Sequence, residues 1–281
     1  MKPTVSVVVP AHNEEAVIAA GLDTLLAGAE PGEFDVVVVA NGCSDGTARA
    51  AARPGVRVLE TATPGKAHAL RLGDAACRTF PRVYLDADVR LDAGSLRALV
   101  AAAGSPGVLA CAPQVSWDLT GVGPLVRRVL AVHEALIRPG RALAGVGVYA
   151  LTAEGHSRVF PLPDVISDDG YVDSFFTGDE RVVVTGARSV VRPARTVRAH
   201  LARRVRVRQG NRQLAALGRP LRPLEAGSLR RVIRSGAAGP LNVACYLAVL
   251  AVDRLLTRLR GDRQDWGTDA SSRHNEPTAA S

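Results

Sequence analysis

Short apolar, β-branched runs alternate with helix-forming segments through the first 115 residues of this 281-residue chain. Continuous apolar runs predict strands that are buried on both faces, and neighbouring parallel strands need a connection long enough to hold a helix. The alternation therefore predicts an α/β fold with a Rossmann-like, mostly parallel sheet flanked by helices. The predicted strands are Val5–Val9, Asp35–Ala40, Val56–Leu59, Val83–Asp86 and Val108–Pro113.

The pattern is less regular after residue 115. Leu119–Arg138 predicts one long helix or a helix pair, and Val182–Thr185 predicts a short strand. The length suits one large domain with a small appendage. We expect two halves of one domain in residues 1–115 and 116–218, a helical, Arg-rich C-terminal extension in 219–261, and a disordered polar tail in 262–281.

Charge is distributed unevenly along the chain. Residues 1–189 hold 17 basic and 21 acidic side chains, whereas residues 190–281 hold 18 and 6. The acidic front would repel phosphates, so we expect no nucleic-acid partner. Almost all of the basic side chains are arginines, and the two lysines are Lys2 and Lys66.

The four cysteines form no CxxC motif and no Cys/His cluster, which argues against a structural zinc site and a disulfide framework. No signal peptide is recognisable, so we expect a cytoplasmic protein. The apolar run Ala237–Val252 holds 16 residues. As a helix it would be about 24 Å long, short of the roughly 30 Å hydrocarbon core of a bilayer. It predicts either a buried packing helix or a helix lying on the anionic inner membrane face.

Ligands of open α/β sheets bind at the carboxyl ends of the strands. Asp86-Ala87-Asp88 follows an apolar strand directly, and carboxylates at i and i+2 can share a hard divalent cation such as Mg²⁺ or Mn²⁺. The alternative is a strand-ending turn with solvated side chains. Asn13 and Asn41 follow two other strands, and Asn13 could cap the first helix.

Three further groups have both a chemical and a purely structural interpretation. Lys66 stands at the start of a predicted helix, either near an anion or as a solvated lysine. Asp168-Asp169 can supply a general base or occupy a helix N-terminus, and both can hold together. The arginines of 203–208 can clamp a pyrophosphate or form a solvated or lipid-facing helix.

Six motifs in this order resemble the family 2 glycosyltransferases of the GT-A fold, over about residues 4 to 215. They are VSVVVPAHNEE (5–15), VVVVANGCSDGT (36–47), GKAHAL (65–70), VYLDAD (83–88), SDDGYV (167–172) and RRVRVRQG (203–210). The resemblance implies an inverting transfer of a sugar from a nucleoside-diphosphate sugar, assisted by Mn²⁺ or Mg²⁺. It also implies a nucleotide-sugar-binding first half and an acceptor-binding, catalytic second half.

The resemblance assigns roles residue by residue. The donor-binding residues are implied to be Pro10, Ala11, Asn13, Glu14, Asn41, Lys66, Asp86, Ala87, Asp88, Arg203 and Arg206. Asp88 is the implied direct metal ligand, Asp86 faces ribose or metal, and His200 is a candidate third ligand. Asp169 is the implied general base.

The acceptor or sugar pocket is implied to contain Asp168, Trp117, Gly147 and Tyr149. The two aromatic side chains could stack on a sugar, although a core position is the alternative for Trp117. Gly147 would let the backbone approach the donor sugar.

Departures from the family pattern narrow the expected function. Asn41 stands where many members have Asp, and an amide can still accept a hydrogen bond from uracil, so a UDP-linked donor remains favoured. Arg203 and Val207 replace the Gln and Trp of the QxxRW segment, which argues against a processive synthase. We expect a hydroxyl of a small-molecule or lipid-linked acceptor, with peripheral membrane contact in the second case.

Two other functions compete with this interpretation. A nucleotidyltransferase also uses Asp-held Mg²⁺, but its Gly-rich phosphate loop after the first strand is replaced here by residues 10–15, which are acidic and lack glycine. A non-enzymatic basic binding module would explain the arginines of the rear segment. It would not explain the acidic residues at the strand ends.

Overall fold

The computed structural model describes residues 2–220 and 227–260. Within them, one sheet runs in the order β3-β2-β1-β4-β7-β6-β8-β5. The strands are β1 (Val5–Ala11), β2 (Phe34–Asn41), β3 (Val56–Thr61), β4 (Arg82–Leu85), β5 (Arg90–Leu91), β6 (Ala110–Trp117), β7 (Val148–Leu151) and β8 (Arg181–Val191). The predicted α/β class and the mostly parallel sheet are confirmed.

Helices fill most of the connections between strands. They are α1 (Glu15–Leu26), α2 (Thr47–Ala51), α3 (Lys66–Ala76), α4 (Ala93–Ala103), α5 (Pro124–Ile137), α6 (Ala153–Val159), α7 (Asp168–Asp173), α8 (Val197–Ala216), α9 (Ser228–Arg234) and α10 (Pro240–Arg260). The segment predicted as one helix or a pair is the single helix α5. The expected tail lies outside the described residues.

The two halves of the sheet join at an antiparallel strand. Strands β1 to β4 pair in parallel, whereas β7 runs antiparallel to both β4 and β6. Because of this reversal, β6 and β4 point the same way, and β8 is parallel to β6. The carboxyl ends of all these strands except β7 therefore lie along one edge of the sheet.

Strand β8 is longer than the predicted Val182–Thr185 because it pairs with β6 over most of its length. The register resumes after an irregularity at Pro113/Gln114 and continues to Trp117 opposite Val191. Long-range pairing extends both strands beyond the apolar runs that their sequences show. The predicted fourth strand, by contrast, ends one residue early at Leu85, so Asp86 begins a turn.

Both faces of the central strands are buried, as their continuous apolar sequences require. Val7 and Val9 of β1 belong to the cluster that also contains Ile18 and Leu22 of α1. Val8 points to the opposite face and packs with residues of α3, β4 and β7. The alternation fixes α1 and α3 on opposite sides of the sheet.

The C-terminal helices pack on α5 and form a third apolar cluster. Its buried members are Val129, Val132, Leu136, Val232, Ala238, Val243, Tyr246 and Val249. Helix α8 is joined to α10 by Arg204 and Arg208, whose side chains bind Asp253 Oδ2 at 2.9 and 2.5 Å. The segment Pro240–Arg258 is long and apolar enough to cross a membrane by length and composition, but one face of it is packed against α5.

Candidate active site

A concave site opens at the carboxyl edge of the sheet. Strand β1, the start of α3, the end of β4, the start of β7 and the start of α7 all contribute to it. The lining residues are Pro10, Lys66, Leu70, Tyr84, Leu85, Asp86, Gly147, Tyr149, Asp168 and Asp169. The structure thus brings together seven residues predicted as donor, catalytic or sugar-pocket residues, and it adds Leu70, Tyr84 and Leu85.

Lys66 holds two carboxylates at the centre of this site. Its Nζ lies 2.7 Å from Asp86 Oδ1 and 2.7 Å from Asp168 Oδ1. Burial by itself lowers the pKa of Lys66, but Asp168, Asp86 and Asp169 together raise it well above the usual value. Lys66 is therefore a charged ammonium, and the alternative of a solvated surface lysine is wrong.

Asp168 is the most enclosed acid of the site, with 3% of its surface exposed. Burial raises its pKa, and the ammonium of Lys66 opposes that shift. Tyr149 OH donates a hydrogen bond to Asp168 Oδ2 at 3.4 Å, and the Tyr149 ring stacks on Tyr84 with centroids 4.9 Å apart. Tyr149 is thus a buried support beneath Asp168.

Asp169 ties α7 to the loop that precedes β7. Its Oδ2 accepts from Gly145 N at 2.7 Å, and its Oδ1 accepts from Ser167 Oγ at 3.0 Å and from Gly170 N at 2.7 Å. A carboxylate has about four lone-pair positions, so the side chain keeps acceptor capacity. Asp168 and Asp169 also begin α7, so their expected position at a helix N-terminus is confirmed, and the role as general base stays a prediction.

The loop between α5 and β7 reaches the turn after β4. Asp86 N donates to Gly147 O at 2.9 Å. Gly147 has φ +70°, and a Cβ there would lie 2.5 Å from a methyl group of Val89. This position therefore needs glycine for its backbone conformation and for the close approach to the Asp86–Val89 turn.

Asp86 and Asp88 face neighbouring depressions. Asp86 lies beside Lys66, whereas Asp88 lines a second depression with Val89, Arg90 and Arg192. The described residues contain no group of three or more His, Cys, Asp or Glu side chains suited to hold a metal. Mg²⁺ and Mn²⁺ are often held by one or two carboxylates plus substrate phosphates, so this oxygen-donor set fits such an ion only together with a phosphorylated ligand.

The loops after β1 and β2 brace each other through two asparagines. Asn13, with φ +54°, accepts a hydrogen bond from Ser44 N at 2.8 Å. Asn41 is 3% exposed; its Nδ2 donates to Ala11 O and its Oδ1 accepts from Gly65 N. The amide of Asn41 therefore supports the loops, and its predicted contact with a base stays a prediction.

Helix α1 is not capped by Asn13. It begins at Glu15 with Glu14 at the N-cap position, and the Glu14 side chain makes no capping hydrogen bond to the helix. Glu14 is buried, and its backbone N–H donates to Thr47 Oγ1 at 2.8 Å. Asn13 does not cap the helix because its side chain bonds to the loop after β2. A capping rule considers only local sequence, so it does not predict this long-range contact.

Trp117 is not among the residues that line the pocket. At the end of β6 its Nε1 donates to Glu134 Oε2 at 2.9 Å, and Glu134 receives two hydrogen bonds from Arg141 at 2.7 and 2.8 Å. The indole is half-buried in this polar cluster. Its predicted role in an acceptor pocket stays a prediction.

His200 does not meet Asp86 and Asp88. Burial, Arg204 and Arg203 lower its pKa to about 4, and Asp253 of α10 opposes them. The ring lies between helices outside the residues that line the site, and its Nε2 is buried without a hydrogen-bond partner. The structure therefore does not support His200 as a third metal ligand.

The arginine segment of α8 is divided between two faces of the helix. Arg204 and Arg208 bind Asp253, so they fasten α10. Arg203 and Arg206 are exposed on another face of α8. Further along this face, Gly210 packs against Ser167, which precedes α7. Contact of Arg203 and Arg206 with a diphosphate stays a prediction.

A buried polar cluster behind the pocket escaped the sequence interpretation. Asp74 accepts from Tyr84 OH at 2.7 Å, from Arg82 at 2.6 Å and from His156 at 3.0 Å. These bonds fix the Tyr84 ring on which Tyr149 stacks. The four residues lie on three different elements, so no short spacing in the sequence indicates the cluster.

The sheet order is similar to that of the GT-A fold, as solved glycosyltransferases show. A mannosyltransferase from Pyrobaculum calidifontis, solved with GDP-mannose and Mn²⁺, is 21% identical, with a TM-score of 0.58 over 94% of this chain and 77% of that one. Glucosyl-3-phosphoglycerate synthase from Mycobacterium tuberculosis, solved with Mn²⁺, UDP-glucose and phosphoglyceric acid, is 24% identical, with a TM-score of 0.52 over 78% and 81%. At these identities the likeness shows the fold alone.

The sequence comparison points to the same kind of protein. The model of glycosyl transferase family 2 matches residues 6–138, so this part of the chain is similar to that family. Uncharacterized glycosyltransferases of Mycobacterium tuberculosis and Mycobacterium bovis are 39% identical over 97 residues. This alignment covers 34% of the chain and 42% of the relatives' length.

We predict that Lys66→Met lowers the free energy of unfolding by about 3 kcal/mol, because it leaves the buried Asp168 without its cation. The double variant Lys66→Met/Asp168→Asn should lose markedly less than the two single variants added together. Urea denaturation of the four proteins measures the coupling. Lys66→Arg, which keeps the charge, is the control; additive losses would contradict the bridge.

A second prediction concerns His200 and its neighbour His133, whose pKa is also lowered to about 4, by burial and nearby Arg204. Unfolded histidine titrates near 6.5, so between about pH 6.5 and 4 the unfolded chain binds protons that the folded chain does not. The free energy of unfolding should therefore decrease as the pH is lowered from 6.5 to 4, by at most about 3 kcal/mol per histidine.

Replacing either histidine by Gln should flatten the dependence of the unfolding free energy on pH in that window. Urea denaturation at a series of pH values measures the slopes. Parallel curves for wild type and both variants would show that neither ring is held neutral by its surroundings.

Proposed function

We propose that the protein is an inverting, metal-dependent, non-processive glycosyltransferase that moves a sugar from a nucleoside-diphosphate sugar to a hydroxyl group. The observation that carries this proposal is the meeting of Asp86, Lys66, Asp168 and Asp169 at one edge of the sheet. Carboxylates and an ammonium from both halves of the domain surround one cleft. The GDP-mannose and UDP-glucose complexes of the structural neighbours support the same type of donor.

The donor would lie across the strand ends with its diphosphate near Asp88 and Lys66. Asp88, with Asp86 beside it, would hold the Mn²⁺ or Mg²⁺ that offsets charge on the departing diphosphate. Lys66 adds a fixed positive charge on the same side while it holds Asp86 and Asp168 together. Gly147 lines the cleft and lets its backbone lie directly against the turn that carries both acids.

Asp169 would remove the proton from the acceptor hydroxyl. Asp168 is less suited because it is buried and already paired with Lys66. The bonds from Gly145 N, Ser167 Oγ and Gly170 N hold the Asp169 carboxylate in one orientation and leave it acceptor capacity. The acceptor oxygen attacks the anomeric carbon opposite the leaving diphosphate, so one protein carboxylate suffices and the configuration inverts.

A UDP sugar is the favoured donor, and a GDP sugar is the second candidate because of the likeness to the mannosyltransferase. The acceptor is a small-molecule or lipid-linked alcohol. Arg203 and Val207 in place of the family's Gln and Trp support a non-processive reaction. Four free cysteines agree with a reducing, cytoplasmic setting.

The test of the donor site is a thermal-shift titration with UDP and GDP, each with and without Mn²⁺. We expect one nucleotide to raise the Tm only when Mn²⁺ is present, and Asp88→Asn to remove that metal-dependent part. Asp179→Asn, on an exposed turn, is the matched control. Equal shifts in wild type and Asp88→Asn would contradict the metal role, and release of pyrophosphate in turnover would indicate a nucleotidyltransferase.

We predict that Asp169→Asn lowers the rate of sugar transfer by about a hundredfold to ten-thousandfold and leaves the nucleotide-induced Tm shift intact. An amide keeps the size of the side chain but cannot take the proton. Release of nucleoside diphosphate, with a hydroxyl acceptor found by screening, measures the rate.

Asp173→Asn is the control for the loop contacts of Asp169. Asp173 Oδ1 accepts from Leu143 N at 3.0 Å in the same loop, but Asp173 does not line the site. Transfer should survive in this variant. A wild-type rate for Asp169→Asn would exclude Asp169 as the base.

A further inference from the structure

We propose that α9 and α10 form a docking surface for an anionic lipid membrane, an inference that does not depend on the proposed reaction. The outer face of α10 is apolar over about four turns. Its exposed members are Leu241, Ala244, Leu247, Ala248, Ala251, Val252 and Leu255. We call this face, together with the exposed side chains of α9, the α9–α10 surface.

The α9–α10 surface faces away from the domain. Val232 of α9 and Val243, Tyr246 and Val249 of α10 are buried in one cluster against α5. Side chains on the opposite sides of both helices therefore point outward. Leu241 and Leu255 are 57% and 56% exposed, so the apolar face is not covered by the described part of the chain.

Arginines border this apolar face at both ends. Arg230 and Arg234 lie on α9, with the exposed Ile233 between them, and Arg254 and Arg258 lie near the C-terminal end of α10. The one acid on the two helices, Asp253, is buried and bound to Arg204 and Arg208 of α8. The surface therefore combines an apolar stripe with positive charge, and the outer sides of α9 and α10 themselves carry no acid.

Such a combination fits a membrane with anionic headgroups. Apolar side chains enter the boundary between headgroups and acyl chains, while arginines next to them bind the lipid phosphates. The charge disfavours a second copy of this chain, because a two-fold contact would bring arginine-bordered faces together without an acid to pair them.

Helix α10 would lie on the membrane and would not cross it. A crossing would remove Val243, Tyr246 and Val249 from the cluster on α5 and carry Asp253 away from its two arginines. An orientation parallel to the surface keeps all of these contacts and uses only the side chains that are already exposed.

The test is co-sedimentation of the full chain with vesicles of phosphatidylcholine alone and of equimolar phosphatidylcholine and phosphatidylglycerol. We expect binding to the anionic vesicles that weakens as salt increases. The variant Leu247→Glu/Leu255→Glu should lose this binding, whereas Leu217→Glu, at an exposed leucine after α8, should keep it. The variant Arg254→Gln/Arg258→Gln should bind roughly twentyfold more weakly.

All five substituted side chains are exposed, so the variants should fold, and an unchanged Tm checks this. Absence of wild-type binding to anionic vesicles, or binding unaffected by the glutamate pair, would overturn the proposal. Equal binding to both vesicle types would overturn its electrostatic part. A wild-type dimer in light scattering that the glutamate pair dissociates would assign the surface to a second copy instead.

Discussion

The ion bridge from Lys66 to Asp86 and Asp168 is the contact on which the site depends. Lys66 begins α3, Asp86 follows β4 in the first half of the chain, and Asp168 begins α7 in the second half. Without a cation between them, buried carboxylates would repel one another and favour separation of α7 from β4. The desolvation of the three charges is costly, and their mutual attraction offsets that cost only in close, hydrogen-bonded geometry such as the 2.7 Å contacts seen here.

The position of Asp168 determines the positions of the groups around it. Asp169 follows it in α7 and holds Gly145, and the same loop continues to Gly147, whose carbonyl accepts from Asp86 N. The loop then enters β7, where Tyr149 donates to Asp168. These contacts form a closed ring through both halves of the domain. A displacement of one member should therefore change the positions of the proposed base and of the proposed metal-binding turn together.

The sequence was informative where a local pattern determines the structure. Apolar periodicity predicted β1, β2 and the helices near them, and the rule that ligands bind at strand ends predicted a ligand site at Asp86, whereas the place of Lys66 followed from the resemblance. The reversal of β7, the two-residue β5 and the full length of β8 were not predictable in this way. They depend on pairing between strands far apart in the chain, which leaves no periodicity in either segment.

The same distinction explains which candidate residues were misjudged. Asn13 was expected to cap α1 and His200 to approach a metal, but each side chain is placed by a helix or loop distant in sequence. Long-range packing also separates the arginines of the rear segment into groups with different surroundings. Arg204 and Arg208 neutralise Asp253, Arg203 and Arg206 remain exposed on α8, and the arginines of α9 and α10 border an apolar face. In the described part of the chain, the basic excess is therefore divided among separate surroundings. In the acidic first part of the chain, Lys66 pairs with the carboxylates of the site, and it is one of only two lysines in the chain.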